Sequence, residues 1–189
     1  DLERRRAFDP AWTEAFLHSM ELDLVKSVYA DQDEILDYVY GSAEVIGLFL
    51  ARIMDLPPEA DPPARLLGRA MQYVNFIRDI AEDLSFNRQY LPLAGSGLAS
   101  LKEEETRRNP EAFQAFIRRE IDRYVSWQTA AEEGYRYIPR RSRVPVRTAA
   151  DMYRWTAGRI RRDPFIVYHG KVKPSRFRIF AAVVGNYLR

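Results

Sequence analysis

The chain has 189 residues, with 29 Lys and Arg against 27 Asp and Glu, and no Cys. That length suits one domain with a substantial core, and the lack of Cys excludes disulfides, thiolate metal sites and a cysteine nucleophile. The net charge of +2 conceals a division: positions 135–189 hold 14 cations and two acids, Asp151 and Asp163, while the preceding 134 residues hold 15 cations and 25 acids. A basic end of this kind suits an anionic partner (phosphate, nucleic acid or an anionic membrane surface) or is a solvated tail.

No apolar run is long enough to span a bilayer; the longest, Val45 to Met54, is interrupted by Gly47 and Arg52. The first ten residues, DLERRRAFDP, contain no apolar h-region and no initiator Met. The expectation is a cytoplasmic chain that is a processed form or a fragment of a longer one.

In chain order the pattern is helical throughout. Asp9 and Pro10 supply a start signal, followed at helical spacing by Trp12, Phe16, Met20 and Leu24. Asp31 and Glu34 form a capping-box pattern ahead of a segment, up to Met54, that is apolar on nearly all sides, as in a central buried helix. Asp33 and Asp37 read as acids at that helix's start. Residues 55–64 are a Pro-rich break. A third helix is expected from about Ala64 to Asn87, then a loop with two glycines, then one or two helices broken near Asn109-Pro110. A Pro-bounded turn precedes a helix from about Val146, and RFRIFAAVVGNYL is the last helix. No strand alternation, repeat or low-complexity tract appears. The fold class is all-α, a helical bundle forming a single domain over 1–189.

The third helix carries the chemistry. At 100° per residue, Leu66, Ala70, Val74, Ile77, Ala81 and Leu84 share one side. Gln72, Asn75, Asp79 and Asp83 share another, with Glu82 beside them. Like charges one turn apart repel, so a row of two amides and two carboxylates calls for a cation. Mg²⁺ takes one or two carboxylates plus phosphate oxygens and water, which matches the row. A solvated face, with Asp79 or Glu82 paired to Arg78 or Arg88, is the simpler alternative. The apolar surroundings favour the cation, because carboxylates in such a setting need a partner.

The segment NFIRDIAEDLSFNRQYLP resembles the second aspartate-rich motif of the squalene/phytoene synthase family, N-x-x-R-D-x-x-E-D followed by a spaced R-x-Y. Asn75, Arg78, Asp79, Glu82, Asp83, Arg88, Tyr90 and Pro92 match it. A second block, DYVYGSAEVIG, is similar to the family's Y-C-Y-x-V-A-G-x-V-G helix through Tyr38, Tyr40, Ala43 and Gly47. Val39, Ser42 and Glu44 stand where the family has Cys, Val and Gly. A weaker block lies at Met152-Tyr153. The resemblance runs from about Trp12 to the end and implies the isoprenoid synthase fold.

It implies an enzyme that joins two allylic diphosphates head-to-head, giving phytoene, dehydrosqualene or squalene, with farnesyl or geranylgeranyl diphosphate as substrate. Mg²⁺, or alternatively Mn²⁺, would be held by Asp79, Asp83 and Asn75, with NADPH needed only by a true squalene synthase. Asp79, Asp83 and Tyr38 would be catalytic. Gln72, Asn75, Arg78, Arg88, Tyr90 and Tyr153 would bind substrate. The small residues Ala43, Gly47 and Ala51 would leave room for a prenyl chain lined by Ile46, Leu50, Val74 or Ile77.

The family also places a D-x-x-x-D helix upstream, and nothing before Trp12 supplies it. The expectation is therefore the C-terminal two-thirds of a synthase, lacking its N-terminal helices. The alternative is a non-catalytic homologue acting as a membrane-associated assembly factor; a head-to-tail prenyltransferase or cyclase would carry a different second motif. His18 and His169 lack metal-ligand spacing. No nucleic-acid motif accompanies the basic end, so a peripheral membrane contact is expected and nucleic acid is not.

Overall fold

In the computed structural model the described residues are 8–188. Residues 1–7, in which the sequence shows no apolar h-region, and Arg189 lie outside them. The helices are α1 (Pro10–Val25), α2 (Gln32–Val39), α3 (Val45–Ile53), α4 (Asp61–Arg78) and α5 (Ile80–Ser85), then α6 (Glu103–Arg108), α7 (Pro110–Ala131), α8 (Arg140–Arg162) and α9 (Arg176–Leu188). A π-helical turn, Tyr40–Glu44, joins α2 to α3. Among the described residues there is no strand, only an isolated parallel bridge between Val28 and Gln89.

Local chemistry sets the helix starts. The Asp9 side chain accepts the Ala11 N–H at 3.0 Å, with Pro10 as first helical residue. Asp31 accepts the Glu34 N–H at 2.9 Å, and the Glu34 carboxylate reaches back to the Ala30 N–H at 2.5 Å and to Lys26. Asn109 and Pro110 separate α6 from α7, as the sequence indicates.

The centre of the bundle is α4, which packs against α7, α3 with its π-turn, and α8. Tyr73, Val74, Phe76 and Ile77 of α4 meet Phe113, Phe116, Ile117, Ile121 and Tyr124 of α7 in one buried cluster. Antiparallel to it, α3 approaches closely through two glycines. A Cβ on Gly47 would lie 2.3 Å from the Ala64 carbonyl oxygen, and one on Gly68 would lie 2.3 Å from that of Ala43. Beside this contact Glu44 is fully buried and accepts Arg65 Nε at 2.8 Å and Arg69 Nε at 2.6 Å. Two guanidinium partners offset the cost of burying that carboxylate.

Three expectations are corrected. The third helix begins at Asp61, because Pro62 and Pro63 sit in its first turn, where proline is tolerated. It also breaks at Asp79, whose backbone (φ −99, ψ 15) leaves helical geometry. The Asp79 N–H still reaches the Asn75 carbonyl and the Asp83 N–H the Asp79 carbonyl, both at 2.8 Å, so the row bends without dissolving. The helix expected from Val146 starts at Arg140 and encloses Pro145. In α1, Trp12, Phe16 and Met20 are half-buried, Ser19 beside them is buried, and Leu24 at the end of the stripe is 84% exposed.

The α3–α4 approach yields a stability prediction. Gly68→Ala should cost about 1–3 kcal/mol by overpacking. Gly158→Ala, in α8 with nothing within 4 Å of its would-be Cβ, should stabilise by about 0.5–1 kcal/mol. Urea denaturation of both variants checks the contrast.

Candidate functional site

The acidic row sits where α4 turns into α5, and two hollows flank it. The larger is an apolar cavity of about 290 Å³. Its walls are the small residues Ala43, Gly47 and Ala51 with Ile46 and Leu50 from α3, the Leu67–Met71 face of α4, and Ile138 and Val146. Gln72, Asn75 and Tyr153 form its polar end. From Pro63 to Asn75 the cavity follows α4 for about 18 Å at 1.5 Å per residue. Val74 and Ile77, expected as lining, have no solvent exposure and belong to the core, so that expectation is corrected. They lie on the α4 face turned to α7, and with apolar residues on either side of the polar row a sequence pattern does not say which side meets the core.

The second hollow is a narrow cleft lined by Asp83, Arg88 and Tyr90 among apolar neighbours such as Phe76 and Ile80. The structure thus gathers Gln72, Asn75 and Tyr153 at one hollow and Asp83, Arg88 and Tyr90 at the other. Asp79 lies at the hinge between them. Both its oxygens are taken by its neighbour: Arg78 Nε donates to Oδ1 at 2.8 Å and an Arg78 terminal nitrogen to Oδ2 at 2.5 Å. This is the fork geometry that suits guanidinium–carboxylate pairs. Glu82 pairs with Lys171 at 2.6 Å, so a cation from the basic C-terminal segment reaches the row.

Tyr38 and Tyr90 converge on a residue that sequence reasoning missed. The Tyr38 hydroxyl lies 3.0 Å from each carboxylate oxygen of Asp23, and the Tyr90 hydroxyl lies 3.2 Å from Oδ1. Arg88 donates to the Asp23 carbonyl at 2.9 Å. The Tyr90 ring stacks on Phe76, with centroids 4.4 Å apart, and packs against Tyr38 and Tyr29. Burial, with Tyr90 and Asp23 nearby, raises the Tyr38 pKa far above its ordinary value, so its phenol stays a neutral donor. The Ser19–Asp23 spacing of four residues on α1 was the available signal. Two polar residues in such a row read as solvent-facing, and only the fold shows what they meet.

Among the described residues no group of three or more acids or histidines stands close enough to hold a metal by itself. The donors present nevertheless suit a cation shared with a phosphate ligand. Burial, then the Asp79 and Glu82 charges, push the Asp83 carboxyl up to about 7. Asn75 Oδ1 is buried with no hydrogen-bond partner. An under-compensated carboxylate and an orphaned amide oxygen are the ligand types that a hard divalent ion takes.

A family model described as squalene/phytoene synthase matches residues 1–178. The chain is 29% identical over 176 residues to the chloroplastic phytoene synthase of Narcissus pseudonarcissus, covering 88% of this chain and 42% of that protein. It is 27% identical over 175 residues to a 15-cis-phytoene synthase of Paracoccus sp., covering 92% and 57%. Among solved structures, squalene synthase HpnC from Alicyclobacillus acidocaldarius superposes with a TM-score of 0.77 at 22% identity, over 86% of this chain and 63% of that one. A dehydrosqualene synthase in complex with ligand gives 0.76 at 21% identity, over 93% and 63%. These structures share the all-α isoprenoid synthase fold with this chain. The chain spans about half the length of the curated relatives it matches.

The raised Asp83 value sets a pH dependence. Between its ordinary value of 3.8 and about 7 the folded state keeps a proton that the unfolded state releases. Stability contributed by the protonated form is therefore complete below about pH 4 and lost as pH rises through 7. Asp83→Asn should melt higher than wild type at pH 8 in metal-free buffer and at the same temperature at pH 4. Differential scanning calorimetry at the two pH values measures this.

Proposed function

Because the chain belongs to the squalene/phytoene synthase family, we propose that the protein containing it condenses two allylic prenyl diphosphates head-to-head. The observation carrying this reading is an elongated apolar cavity whose polar end, at Gln72 and Asn75, leads along the same helix towards Asp79 and Asp83. Farnesyl and geranylgeranyl diphosphate are the substrate class: a chain for the cavity and a diphosphate for the charged end. The chain forms one domain of such a synthase.

The first step is heterolysis of the C–O bond of one substrate. The diphosphate leaves with the electron pair, and an allylic cation remains. The double bond of the second prenyl chain attacks that cation, and loss of a proton closes a cyclopropyl diphosphate. A second ionisation releases the other diphosphate, and the rearranged cation loses a proton to give phytoene or dehydrosqualene, or would take a hydride, from NADPH, to give squalene.

In this scheme Arg78 and Arg88 meet the leaving phosphate oxygens, where fixed positive charge stabilises developing negative charge. Asp79 and Asp83, with Asn75, would hold Mg²⁺ or Mn²⁺, which supplies further neutralisation of the diphosphate. Gln72, Tyr90 and Tyr153 orient the polar head. Tyr38, buried with its hydroxyl committed to Asp23, packs against Tyr90 and holds it beside the row. The apolar wall from Ala43 to Met54 keeps water from the cation. The proposal places the protein in the cytoplasm with peripheral membrane contact, since the hydrocarbon product belongs in a bilayer.

In the full-length protein, Asp79→Asn and Asp83→Asn should each lower turnover of geranylgeranyl or farnesyl diphosphate by about 100-fold or more, with circular dichroism unchanged. Retained turnover would remove the metal-binding assignment. A folded wild-type protein without turnover on either substrate would point instead to the non-catalytic, assembly-factor reading.

A further inference from the structure

Helix α9 presents its apolar residues outwards. Phe177 is 81% exposed, Phe180 66%, Val184 42% and Leu188 79%, at steps of three and four that form one stripe, with Tyr187 (61%) beside it. The inner side is held by polar contacts. Asn186 is buried and donates to Asp151 Oδ2 at 2.7 Å and to Thr148 Oγ1 at 3.3 Å. Arg140 donates to the Tyr187 carbonyl at 3.1 Å, and Arg178 lies over Trp155. In a helix docked on a water-exposed domain the arrangement is the reverse, apolar side in and polar side out.

The charge around the stripe is one-sided. No acid lies in α9, while Arg176 and Arg178 do, and Lys171 and Lys173 precede it, all exposed. The 14 cations against two acids over 135–189 give the whole α8–α9 end a positive field. Among the described residues no helix is long and apolar enough to cross a membrane. At 13 residues α9 is about 20 Å long, suited to lying in the plane of an interface. The family match ends at residue 178, so most of the stripe lies beyond what the family pattern describes.

We propose that α9 is a membrane-docking helix for an anionic bilayer surface. Phe177, Phe180, Val184 and Leu188 enter the headgroup–acyl boundary while Lys173 and Arg176 meet lipid phosphates. The inference names the surface for the peripheral contact in the proposed function, and it is tested without turnover, so either can fail alone.

The test is flotation of the full-length protein with phosphatidylglycerol-containing vesicles and with phosphatidylcholine vesicles. Expected is binding to the anionic vesicles, reduced about tenfold between 0.05 and 0.5 M salt. Phe177→Ser/Phe180→Ser and Lys173→Gln/Arg176→Gln should each lower the bound fraction about tenfold with the melting temperature unchanged. Absence of binding to anionic vesicles, equal binding to both vesicle types, or equal binding of the variants overturns the proposal. Self-association that Phe177→Ser/Phe180→Ser abolishes would assign the stripe to a second copy and overturn it. A lower melting temperature for that variant without vesicle binding would mean another part of the protein covers the stripe, with the same consequence.

Discussion

The contact on which the rest depends is the glycine-mediated approach of α3 to α4. With no Cβ at Gly47 and Gly68, each helix brings its surface against the other's carbonyl oxygens. Two helices at that separation cannot fill the space on either side with their own bulky residues. One side is closed by α7, whose aromatic residues meet Tyr73 and Phe76. The other is left as the cavity, and its length along α4 fixes where the acidic row stands. The same approach encloses Glu44, which is why a carboxylate is held there by Arg65 and Arg69.

A second constraint fixes the far side of the row. The loop after α5 returns to α1 and α2 through Arg88 and Tyr90, whose targets are the carbonyl and carboxylate of Asp23. Stacking of Tyr90 between Phe76 and Tyr29 adds an apolar clamp. The row is therefore set between a wall made by helix contact and a loop made fast by phenols.

Much of the fold was legible because its signals are local. Asp9-Pro10, Asp31 with Glu34, Asn109-Pro110 and the apolar pattern of 176–188 each mark a boundary that the structure places nearby. The motif spacing located the row and the family. What escaped were matters of partner choice. Pro145 reads as a helix boundary, yet the helix absorbs it near its start. The apolar stripe ending at Leu24 gave no sign that Ser19 beside it is buried. Periodicity could not say which apolar face of α4 meets α7 and which lines the cavity, hence the misplacement of Val74 and Ile77. Asp23 lies 15 residues from Tyr38 and 67 from Tyr90, and only tertiary structure joins them.

The pairing of Arg78 with Asp79 carries a consequence for thermodynamics. A carboxylate whose two oxygens already face a guanidinium is neutralised by a permanent, covalently attached counter-ion. A divalent ion binding there would compete with that tethered rival as well as with water. Displacement would be easier if an anion took up the released guanidinium, so that the two arrivals would reinforce each other, an exchange of partners within one site.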